Sequence, residues 1–104
     1  MILEKKAQLI KLYTVYGKLL TKKQKLYFKY YIEDDYSFDE ISKILSVSKS
    51  AAHDQLRKIR DKLFMFENKL NILSKNDIRK KILKNYKKTK DERILEDLIE
   101  NDFN

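Results

Sequence analysis

Residues 37–57 read Ser37-Phe38-Asp39-Glu40-Ile41-Ser42-Lys43-Ile44-Leu45-Ser46-Val47-Ser48-Lys49-Ser50-Ala51-Ala52-His53-Asp54-Gln55-Leu56-Arg57. Ser37 followed three residues later by Glu40 is a helix start, because each side chain reaches an unsatisfied backbone N–H of the first turn. The short helix it opens runs to about Leu45, with Phe38, Ile41, Ile44 and Leu45 apolar. Ser46-Val47 is a tight turn, and Ser48 caps the next helix. Two short helices, a tight turn and a basic second helix spell a helix-turn-helix. Ile41 and Leu45 face Val47 and Ala52, and the small Ala52 lets the two helices cross closely. Ser48, Lys49, Ser50, His53 and Arg57 then lie at the N-terminal and outer surface of the second helix. A recognition helix presents groups to phosphates and base edges from that surface, and its free N–H groups favour a phosphate. The same layout also suits a plain helical hairpin inside a bundle.

Outward from this core the pattern stays helical. Leu3 to Tyr16 is a first helix, with Leu9, Leu12, Tyr13, Tyr16, Leu19 and Leu20 at helical spacing and Gly17 as its end or kink. Thr21 caps a second helix over Lys22 to Asp34, whose Tyr27, Phe28, Tyr30 and Tyr31 read as core, with one tyrosine left exposed. The fourth helix continues from Ser48 to about Leu70 through Ala52, Leu56, Ile59, Leu63, Phe66 and Leu70, a heptad seam. Two readings of that seam stand: packing within the chain, or pairing of its Leu63–Leu70 face with a second copy. After a break at Asn71 to Asn76, a basic fifth helix spans Lys75 to Tyr86. A basic hinge follows at Lys87 to Lys90, then an acidic sixth helix over Asp91 to Glu100. The expected organisation is a helix-turn-helix domain over 1–72 with an extended recognition helix, and a helical appendage over 73–104, basic then acidic.

Composition agrees. With one glycine and no proline in 104 residues, the chain lacks the turn residues that hairpins and sheets require, so an all-α bundle without a wing is expected. No cysteine rules out disulfides and thiolate metal sites, and a lone histidine leaves zinc without a ligand set. One glycine cannot build a phosphate loop, and no serine has a histidine and an acid at a recognisable spacing. No enzyme activity and no cofactor are expected. No apolar run reaches membrane-span length and the first residues lack a signal-peptide core, which points to a cytoplasmic protein without membrane contact. The net charge of +8 suggests nucleic acid as partner. Lysine supplies 20 of the 24 basic residues, a bias that suits phosphate contact better than reading guanine edges.

Three motifs together carry a family likeness: Leu20-Thr21-Lys22-Lys23-Gln24-Lys25 through Tyr30-Tyr31, then Ser37-Phe38-Asp39-Glu40-Ile41-Ser42, then Val47-Ser48-Lys49-Ser50-Ala51-Ala52-His53-Asp54. In these the chain resembles the YlxM family of small bacterial proteins over about residues 1 to 75, and more broadly the fourth region of sigma factors. The resemblance implies a DNA-binding helix-turn-helix regulator. It also implies a role in the signal recognition particle pathway, with that particle's RNA and GTPase as further partners, because the family's genes lie beside the gene for the GTPase. Two departures matter. The turn position often held by glycine is Ser46, and Asp54 interrupts the basic face, which puts sequence-specific promoter reading in doubt. The alternative is an RNA-binding or protein-interaction accessory of the particle that docks on an acidic surface. Residues beyond about 75 match no motif.

Overall fold

The computed structural model describes residues 3–103; Met1 and Ile2 of the expected 1–72 domain, and Asn104 of the appendage, lie outside the described residues. Six α-helices run through it: α1 Leu3–Tyr16, α2 Lys22–Phe28, α3 Phe38–Leu45, α4 Lys49–Leu70, α5 Ile72–Thr89 and α6 Ile94–Phe103. There is no strand among the described residues, so the protein is all-α. It divides into two compact units, Met1–Lys69 and Leu70–Asn104.

In the first unit, α1 hands over to a 3-10 turn, Gly17–Leu19. Its tighter winding turns Leu19 outward, so that residue leaves the apolar face expected of it and is exposed. A Cβ on Gly17 would meet the Tyr13 ring at 3.1 Å. That ring is stacked on Phe28 at 4.2 Å between centroids, so it has little room to give. Thr21 caps α2 through a full capping box: Gln24 N–H donates to Thr21 Oγ1 at 3.1 Å, and Thr21 N–H donates to Gln24 Oε1 at 2.9 Å. The helix expected to run evenly to Asp34 instead widens into a π segment, Lys29–Glu33, closed by Asp34 N–H donating to Lys29 O at 3.0 Å. Tyr27, Phe28 and Tyr31 are buried, whereas Tyr30 is half-buried and stacked on Tyr36. Lys6 ties α1 to the turn beyond the π segment, pairing with Asp35 at 3.0 Å and lying over the Tyr31 ring.

The seam of α4 enters this core only in part. Ala52, Ile59 and Leu63 are buried, Leu56 and Phe66 half-buried, and Leu70 exposed. Phe66 sits against Tyr16, whose hydroxyl donates to Glu67. Leu63 is fully buried in its own chain, whereas Phe64, Met65 and Leu70, in the segment expected to meet a second copy, are exposed.

In the second unit, the break expected over Asn71 to Asn76 shrinks to one residue. Asn71 takes a left-handed conformation (φ 54°), which its short polar side chain tolerates, and α5 begins at once. The basic hinge is also mostly helix: α5 runs to Thr89, and left-handed Lys90 (φ 59°) ends it. Asp91 then folds a turn by accepting from Arg93 N–H at 3.0 Å, which moves the start of α6 to Ile94. Asn101 Nδ2 donates to Lys75 O, and Arg79 pairs with Asp102 at 2.7 Å, so α5 and α6 lie antiparallel.

Candidate nucleic-acid interface

Local chemistry sets the helix-turn-helix. Glu40 N–H donates to Ser37 Oγ at 3.1 Å, and Ser37 N–H donates to Glu40 Oε1 at 3.2 Å, the box read from the sequence. At the other end of α3, Ser46 is left-handed (φ 54°, ψ 45°) and Val47 N–H donates to Ser42 O at 2.9 Å. This closes the helix as glycine usually does, with the strain that a side chain adds. Ser48 then starts α4, its Oγ accepting from Ala51 N–H at 3.0 Å. Ile41 and Ala52 are fully buried where α3 and α4 meet, so the small alanine lies at the crossing.

The five predicted contact residues, Ser48, Lys49, Ser50, His53 and Arg57, are all exposed. Lys49, His53 and Arg57 follow one another every fourth residue, so they wind along one flank of α4 beside Ser50. The positive end of the helix dipole opens at the same place. His53 is not merely free in solvent: its ring meets the edge of Phe38 at 4.7 Å between centroids. That contact links the recognition flank to the first residue of α3.

Asp54 is the counterweight. It pairs with Arg57 and, at 3.2 Å, with Lys58. The hydrogen bond from Lys58 leads in holding its carboxyl below the ordinary value of 3.8, with Arg57 adding to the effect. The carboxylate is therefore ionised at neutral pH and holds Arg57 in an internal pair. Lys58 was not among the predicted residues, and neither was Arg60. Arg60 lies seven residues after His53, on the same side of the helix, so that spacing is a signal the sequence does contain.

Beside this flank, an apolar cavity of about 70 Å³ is lined by Leu9, Phe28, Tyr31, Phe38 and Ile59, among others, with His53, Arg57 and Arg60 also in its wall. Among the described residues, no group of His, Asp or Glu side chains is placed to hold a metal ion, and no helix is long and apolar enough to cross a membrane.

Comparison with known sequences bears on this arrangement. A family described as "Putative helix-turn-helix protein, YlxM / p13 like" matches residues 3–101, well past residue 75, where the motif likeness stops. A UPF0122 protein of Mycoplasma mycoides is 42% identical over 77 residues, which is 74% of this chain and 68% of that protein. One of Malacoplasma penetrans is 38% identical over 94 residues, 90% of this chain and 85% of its own. One of Geobacillus kaustophilus is 38% identical over 86 residues, 83% and 78% respectively.

Proposed function

The chain belongs to the YlxM / p13-like helix-turn-helix family, and from that premise we propose that it is a non-enzymatic nucleic-acid-binding protein. The leading edge of α4 would meet the phosphate backbone. One observation carries the reading: Ser48, Lys49, Ser50, His53 and Arg57 lie exposed along one helix whose start is fixed by the Ser46 turn and the Ser48 cap. Eight residues separate Lys49 from Arg57, about 12 Å of helix axis. That span is comparable to the roughly 12 Å width of a duplex major groove, so the two cations suit phosphates on either side of a helix entering it. Lysine-dominated charge and the Asp54 carboxylate favour backbone contact over base reading. A regulatory part in the signal recognition particle pathway, with that particle's RNA and GTPase as cytoplasmic partners, rests on the family resemblance alone.

A second reading is favoured by the cavity. An apolar side chain of an acidic protein segment would enter between Phe28, Phe38 and Ile59, with Arg57 and Arg60 meeting its carboxylates.

Fluorescence anisotropy on random duplex DNA and on the particle's RNA, as a function of salt, tests the first reading against the second. Replacing Lys49 and Arg57 together by alanine should flatten the log–log salt slope by about 0.9 to 1.8, about 0.9 for Lys49 and up to as much again for the Arg57 that Asp54 partly occupies. Affinity and slope equal to those of the unmodified chain would rule this surface out. Binding of neither nucleic acid would leave the docking reading.

A further inference from the structure

The Leu70–Asn104 unit is a helical hairpin without a core of its own: neither α5 nor α6 has a buried residue. A helix stabilises itself in water by burying its apolar stripe, and one of 10 residues is too short to hold by hydrogen bonds alone. Here the stripe stays open. Leu95, Ile99 and Phe103 follow every fourth residue along α6, and Ile99 and Phe103 are 62% and 84% exposed. On α5, Ile78 and Leu83 are exposed as well, about 140° apart around the axis on either side of Arg79, so one of them falls on the same side of the hairpin as the α6 stripe.

Charge identifies what covers this face. α5 has seven lysine or arginine residues against the single acid Asp77, whereas α6 has four acids and no base. Between the two helices, Arg79 and Asp102 form an ion pair. Lys80, Lys81 and Lys84 on one side, and Glu96, Asp97 and Glu100 on the other, are exposed. The hairpin is thus electrostatically complementary to itself. We propose that a second copy of the chain covers it, two hairpins stacking about a two-fold axis that runs along the helices, so that α5 of each copy lies over α6 of the other. The alternative two-fold axis, across the helices, would set α5 on α5 and α6 on α6, and like charge disfavours it. At 1.5 Å per residue and about 10 Å of width per helix, each face measures on the order of 500 Å². The pair therefore buries about 1,000 Å², at the small end of specific interfaces, and the association should be concentration-dependent.

The experiment is sedimentation of the full chain without nucleic acid, so its outcome is separate from that of the reading above. The apparent mass should rise from 12.6 kDa toward twice that with concentration, and less so in about 1 M salt, where charges are screened beyond about 3 Å. Ile99→Asp with Phe103→Asp should keep the mass at the single-chain value while circular dichroism retains its helix signal. A Lys80→Glu, Lys81→Glu, Lys84→Glu variant and a Glu96→Lys, Asp97→Lys, Glu100→Lys variant should each stay single alone and form a one-to-one pair when mixed. A single chain at every concentration would overturn the proposal. So would a dimer indifferent to Ile99 and Phe103, or a mixture of the charge variants that fails to pair.

Discussion

Replacing Asp54 by asparagine removes the one carboxylate between Ser48 and Arg57 while keeping the size of the side chain. In the protein, that carboxylate occupies Arg57 and Lys58, so part of the positive charge on the flank is spent inside the molecule. Freeing Arg57 adds up to one phosphate contact, which steepens the slope of log affinity against log salt by about 0.9. Between 1 M and 0.1 M salt, one such contact changes affinity by about eightfold. Asp54→Asn should therefore bind duplex DNA several-fold more tightly at about 0.1 M salt and indistinguishably near 1 M, as read by anisotropy titrations at four or five salt concentrations. Binding unchanged or weaker at low salt would mean that Arg57 does not face nucleic acid, and the interface placed on α4 would be wrong.

The same carboxylate gives a pH signature. Its folded pKa is depressed, so its stabilising pairing is present above the ordinary value of 3.8 and is lost as pH falls through the lower folded value. The difference in melting temperature between the unmodified chain and Asp54→Asn should be constant from neutral pH down to about 4 and shrink only below it; a difference that changes between pH 5 and 7 would point to another group. Ile41→Ala opens a cavity at the fully buried α3–α4 crossing and should cost about 2–5 kcal/mol, lowering the melting temperature by at least about 8 °C. A loss below about 1 kcal/mol would deny Ile41 its place in the core. Ser46→Gly relieves a left-handed residue and should raise the melting temperature by roughly 2–8 °C, net of the extra freedom glycine gains when unfolded. A fall would mean that the Ser46 side chain compensates for its backbone.

The helix-turn-helix was readable because its signals are local. Ser37 with Glu40, Ser48 alone and the small Ala52 each encode a cap or a crossing in a few residues. The ends of α5 were not readable, because a chain with one glycine stops its helices by backbone posture. Asp35, Ser46, Asn71 and Lys90 all adopt positive φ, and nothing in a lysine predicts that. The six residues from Asn71 to Asn76 look like a loop because the heptad spacing stops there, yet only one of them leaves helical geometry. At the site, exposure of the five contact residues follows from helix phase and was legible. That Asp54 neutralises part of the flank depends on rotamers, and that Arg57 and Arg60 line an apolar cavity depends on α1 and α2, distant in sequence.

The π segment Lys29–Glu33 holds one residue more in its turn than an ordinary helix would. Dropping a single residue there would let the turn rewind as an ordinary helix with the phase of everything downstream nearly kept. Rewinding all of it without a deletion would instead carry the chain on by about 100°, and Phe38 and the capping serine would enter rotated by roughly a quarter turn from their present neighbours. One-residue deletions in this span should be absorbed, whereas substitutions that force regular winding should not. In an alignment of relatives, the spacing between Phe28 and Ser37 should match this chain or be one residue shorter.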